Sequence, residues 1–109
     1  TRREDFDLMV GELVTELIHR WPQVATIEFA VEDVPPSNPA PWESHNVVVA
    51  RIFPADRRRG LHDRIVVYRL PITLRCALEE VALMTRRVLI ERISHILALP
   101  PDEIDDAMR

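Results

Sequence analysis

VLIERISHILALPPDE, residues 88–103, decides how the rest of this chain is read. It closes a longer periodic stretch, ALEEVALMTRRVLIERISHILAL over 77–99, whose spacing predicts one long α-helix. On a helical projection Leu78, Ala82, Leu89, Ile93 and Ile96 fall within about 60° of one another and form the predicted core stripe, flanked by Val81 and Val88. Glu91 and His95 stand one turn apart and share a face at the edge of that stripe. Arg92 is the odd residue, because it projects into the apolar sector between Val81 and Leu78. A guanidinium there must reach out along its stem or find a carboxylate. Pro100 and Pro101 stop the helix, and PDEIDDAMR beyond them predicts a short acidic helix with Pro101 in its first turn.

Working outward, EDFDLMVGELVTELIHRW carries Phe6, Met9, Val10, Leu13, Leu17 and Trp21 at helical steps, with Glu4, Asp5 and Asp7 crowding the start and Pro22 ending it. ATIEFAVEDV, residues 25–34, alternates Ile27, Phe29 and Val31 against Glu28 and Glu32, which predicts a strand with one solvated face. PPSNPAPWESHN is too rich in proline for helix or central strand and predicts a surface loop. Trp42 in it is expected to pin the loop or meet a partner. VVVARIF (47–53) and RIVVYRL (64–70) predict two more strands, the second ended by Pro71, with PADRRRGLHD as the turn between them. Two principal helices and three strands can share one core as a two-layer α+β sandwich.

The chain has 109 residues, which predicts one domain spanning 1–109. Its formal charge of −4 gives no general field for nucleic acid, and the run Arg57 to Arg59 is expected to be a solvated turn. No apolar run is long enough to span a bilayer, so no membrane partner is expected. A lone Cys76 rules out an intramolecular disulfide and a Cys-based zinc cage, and fits a cytoplasmic setting. It is expected at the core or its boundary. His19, His45 and His62 fall at a helix end and in two loops, where solvated histidines are expected. The chain begins at Thr1 without Met, which leaves an upstream segment open.

Three stretches in order, FAVEDVPP, RIVVYRLPI and VLIERISHILALPPDEID, carry a resemblance that spans nearly the whole chain. The chain resembles the minimal zincin-like metallopeptidases, a small bacterial family that keeps little more than the sheet and active-site helix of larger zinc proteases. In that family the corresponding segments read roughly VEDEPP, ITLYRGP and HExxHxxGxxD. The resemblance implies a zincin-like fold, with a small, mostly three-stranded sheet packed on an N-terminal helix and a long C-terminal "active-site" helix. Laid on this chain without gaps, the motif puts its first histidine at Glu91, its glutamate at Arg92 and its second histidine at His95. Its glycine falls at Ala98 and its acidic ligand at Pro101.

Two histidines one turn apart can present imidazoles to one Zn²⁺, while the glutamate activates the attacking water. Arg92 offers no acceptor and stays protonated, and Pro101 has no ligating side chain. The general-base position and two of three ligand positions are therefore lost by the same alignment that implies the fold. The expectation is a non-catalytic relative, a pseudoenzyme without cofactor, binding a peptide or protein along a sheet-edge cleft. The alternative is a zinc-dependent metallopeptidase that uses Glu91, His95 and a third ligand such as Asp102.

Overall fold

The computed structural model describes residues 1–36 and 48–104. Most of the proline-rich loop, with Trp42 and His45, and the end of the acidic tail lie outside the described residues. Helix α1 spans Arg2–Arg20 and opens on a capping box: the Glu4 amide donates to Thr1 Oγ1 at 3.2 Å while the Glu4 carboxylate takes the Thr1 amine at 3.3 Å. Such a cap supplies amide partners that the first turn lacks. The apolar stripe turns inward as expected, with Phe6, Val10 and Leu17 buried and Met9, Leu13 and Trp21 packed against them. Pro22 opens a 3-10 turn, Pro22–Thr26, so Ala25 and Thr26 belong to that turn and not to the predicted strand.

Strand β1, Glu28–Glu32, keeps its two glutamates exposed. Strand β2 is Ala50–Phe53 and β3 is Arg64–Tyr68, in the sheet order β1-β3-β2. β1 runs parallel to β3, pairing Phe29 with Ile65 and Val31 with Val67, while β2 runs antiparallel, pairing Ala50 with Val67 and Ile52 with Ile65. Ile65, Val66, Val67 and Tyr68 of the central strand are all buried, so both faces of β3 are covered. The turn between β2 and β3 holds the three arginines in a 3-10 turn, Arg57–Arg59, closed by Gly60 at φ 69°. A side chain is strained at that dihedral, which is why glycine suits the position.

Further predicted boundaries move. The strand over 64–70 ends at Tyr68, and Arg69–Thr73 forms a short helix, α2, with Pro71 inside it. Proline is tolerated there because first-turn amides have no partner within the helix. The strand predicted over 47–53 begins at Ala50: Val49 still accepts from the Tyr68 amide at 2.9 Å, and Val47 lies outside the described residues. The helix predicted over 77–99 divides into a 3-10 turn, Leu78–Glu80, and helix α3, Val81–Leu97.

The core stripe of α3 is corrected with it. Leu78 is 88% exposed and Ala82 is exposed, whereas Thr85, Val88, Leu89, Ile90, Ile93 and Ser94 are buried and Ile96 is half-buried. Burial wraps more than one stripe because α3 touches β2, β3, α1, α2 and the terminal helix α4, Pro101–Ile104. Pro101 is the first residue of α4, and the Ile104 carbonyl accepts from Trp21 Nε1 at 3.2 Å, which ties the tail to the end of α1. The result is an α+β fold with a three-stranded mixed sheet and a long C-terminal helix. Among the described residues no helix is long and apolar enough to cross a membrane.

Candidate functional site

Helix α3 carries Glu91, Arg92 and His95, and its packing decides which way they face. With Leu89, Ile90, Ile93 and Ser94 buried, the remaining arc of the helix holds Arg87, Glu91 and His95, all exposed. Arg92 lies at the border, with 28% of its side chain exposed. Its Nη1 reaches Glu91 Oε2 at 3.4 Å, an ion pair between neighbouring residues whose carboxylate is 54% exposed. The predicted dilemma of Arg92 is thus resolved by a half-buried side chain whose head is held by a carboxylate. The carboxylate comes from the adjacent residue rather than from the sheet or the tail. Exposed pairs of this kind contribute about 0–1 kcal/mol.

The helix ends where the family motif has its glycine. Ala98 sits at φ 55° and ψ 40°, in the left-handed region, and is the one non-glycine described residue with positive φ. The Leu99 amide donates to the Ser94 carbonyl at 3.0 Å and the Ala98 amide to the His95 carbonyl at 3.4 Å, the paired bonds of a Schellman stop. An L-residue with a Cβ is strained there, and glycine is not.

The metal reading asks for three convergent donors. Glu91 and His95 share the exposed face, Asp102 is half-buried on α4, and Pro101 supplies no donor atom. Among the described residues no group of three or more His, Cys, Asp or Glu side chains is gathered closely enough to hold a metal ion. His19 and His62 are exposed, and neither joins such a group. The Glu91 carboxylate, moreover, already faces a guanidinium. Glu91, His95 and Asp102 therefore do not fit a zinc site as they stand, and no catalytic step is derived through one. Cys76 is half-buried against the core, its thiol donating to the Ile72 carbonyl at 3.3 Å, as a boundary residue should.

A second constellation was not anticipated. Parallel pairing brings the C-terminal ends of β1 and β3 together, so Asp33 and Arg69 meet just beyond them. Arg69 Nε donates to Asp33 Oδ1 at 3.0 Å, Arg3 Nη1 lies 3.1 Å from the same oxygen, and the Leu70 amide donates to the Asp33 carbonyl at 3.0 Å. Hydrogen bonding from Arg69, with the charges of Arg3 and Arg69 beside it, holds the Asp33 carboxyl below the usual carboxylate value against the opposing effect of desolvation. Arg3 also donates to the Val31 carbonyl at 3.2 Å. Nothing in the local sequence announces this knot, because strand pairing brings Asp33 and Arg69 together and Arg3 reaches them from α1. The other missed feature is a groove between α1 and β1, for which Gly11 inside an otherwise strong helix was the available signal.

No protein-family model matches the chain, and no curated protein is found to match it.

Proposed function

We propose that this chain is a non-catalytic relative of the minimal zincin-like metallopeptidases, and that it acts by binding a peptide or protein partner along a sheet edge. The observation that carries the proposal is the 3.4 Å pair between Arg92 and Glu91, in which the residue at the motif's base position neutralises the residue at its first ligand position. A guanidinium there provides neither a proton acceptor for water nor room for a cation. The left-handed Ala98 supports the gapless register, since the helix stops at the position where the motif calls for glycine. A small mixed sheet whose outer edges pair with no strand among the described residues supports the peptide-binding reading. We assign the protein to a bacterial cytoplasm, a reading supported by the family resemblance and by a single free cysteine.

Metal content tests the proposal directly. Protein purified without chelator or affinity tag should carry well under one zinc per chain. Stoichiometric zinc that disappears on His95→Ala would instead overturn the metal-free reading and make His95 a ligand. Restoration tests the register: a variant with Glu91→His, Arg92→Glu and Pro101→Asp should gain zinc. Should that variant fold and still take up none, the gapless alignment is wrong.

A further inference from the structure

Among the described residues no strand pairs with the outer edge of β1. The Glu28 amide donates to the Asp63 carbonyl at 2.9 Å, so Glu28, Ala30 and Glu32 direct their main-chain groups toward β3. The pleat then turns those of Phe29 and Val31 outward. Beside this edge lies a groove of about 270 Å³, walled by Val10, Gly11 and Val14 of α1 and by Phe29, Ala30 and Val31, with Asp7 at its rim. A shallower depression continues from Asp7 and Gly11 to Leu8, Glu12 and Thr15, and Leu8 is 64% exposed.

Gly11 gives the groove its depth. A glycine weakens a helix interior, and here a Cβ would meet nothing within 4 Å, so no contact among the described residues requires its absence. Asp7 at the rim lies 3.8 Å from Arg3 Nε, and Arg3 also meets Asp33 and the Val31 carbonyl. Glu28 and Glu32 stand exposed at the two ends of β1, on the sheet face opposite Phe29 and Val31. An apolar trough on one face of an open strand edge, with two exposed carboxylates on the other face, complements one kind of occupant.

We propose that the α1–β1 groove docks an extended peptide segment in which apolar residues alternate with Arg or Lys, added to β1 as a further strand. Since Arg3 already satisfies the Val31 carbonyl, the ladder runs through the Phe29 amide and carbonyl and the Val31 amide. Alternate side chains of the segment enter the trough, and the basic ones between them lie on the opposite sheet face, where Glu28 and Glu32 stand. The proposal rests on the reading of this chain as a peptide-binding module and names the edge and the side-chain chemistry.

The test uses the full chain and two fluorescein-labelled decapeptides, one alternating Val with Arg and one alternating Val with Glu, followed by fluorescence anisotropy. The Arg peptide should bind saturably and the Glu peptide at least tenfold more weakly. Gly11→Leu, which fills the trough, and Glu32→Arg, which reverses a charge on the face the basic residues meet, should each weaken the Arg peptide at least tenfold. Hydrogen exchange on the unmodified chain should slow at Phe29 and Val31 when the Arg peptide is added, which decides the matter even if Gly11→Leu fails to fold. Undiminished binding in both variants, with no protection at β1, would overturn the groove while leaving peptide binding standing at another edge. Equal binding of both peptides would overturn the charge selectivity. Binding of neither would overturn the groove and the binding-module reading together. A dimer abolished by Gly11→Leu in the absence of peptide would give the groove to a second copy and overturn the proposal.

Discussion

Replacing Ala98 with glycine should stabilise this protein, and by an amount that the backbone sets. At φ 55° the alanine Cβ crowds the following carbonyl, a strain of roughly 1–2 kcal/mol for an L-residue. Glycine removes the strain but adds freedom to the unfolded chain, which returns roughly 0.4–1 kcal/mol. The Schellman bonds from Ala98 and Leu99 involve only main-chain atoms and survive the change. A net gain of about 0.5–1 kcal/mol remains, which for a domain of this size raises Tm by about 2–8 °C. Urea denaturation should show a higher midpoint with an unchanged slope, the signature of altered stability without altered compactness. Ala82→Gly supplies the opposite control, because Ala82 is exposed within regular α3 helix and glycine there should cost about 1 kcal/mol. If Ala98→Gly lowers the midpoint as Ala82→Gly does, the helix does not stop at residue 98 in a left-handed turn, and the register argument falls with it.

Two further expectations test the packing and the electrostatics. Ile93→Ala should cost about 2–5 kcal/mol, as deletions at fully buried sites do, whereas Leu78→Ala should stay within about 0.5 kcal/mol; comparable losses in chemical denaturation would restore the stripe predicted from sequence. Asp33 has its carboxyl held below the ordinary value by Arg69 and Arg3, so its stabilising contribution is present above the unfolded-state value and is lost as pH falls through the folded one. Asp33→Asn should therefore lower stability at neutral pH and flatten the acid limb of a Tm-against-pH profile; an unchanged acid limb would show that the knot does not couple to folding.

The element order is legible in the sequence because the periods are clean: 3.6 in residues 6–21 and two in residues 27–32. What is not legible follows from tertiary contacts. RIVVYRL is apolar and β-branched through Val67, and nothing in it marks Tyr68 as the last strand residue; the turn into α2 is joined to β1 by the Leu70 amide on the Asp33 carbonyl. The phase of α3 was misread because a single stripe assumes one packing partner, whereas this helix is enclosed by five elements. Glu91, Arg92 and His95 stand out in the sequence by their contrast with a motif. Their exposure and the adjacent pairing of Arg92 needed coordinates, since a projection does not tell which arc of a helix is left uncovered.

The knot at the strand ends gives the resemblance a physical counterpart. FAVEDVPP and RIVVYRLPI are individually soft as sequence signals, yet Asp33 of the first and Arg69 of the second share a 3.0 Å bond. Arg3 of α1 closes on the same carboxylate, so three elements are tied at one oxygen without any contribution from α3. A scaffold held this way does not depend on a metal for its architecture, and the motif letters on α3 can change without loosening the sheet. The same tie sets the geometry of the α1–β1 groove, because Arg3 anchors the start of α1 against the C-terminal end of β1. The residues that tie α1 to β1 are therefore not those on α3 that depart from the motif, so substitutions at Glu91, Arg92 or His95 should leave the α1–β1 groove standing.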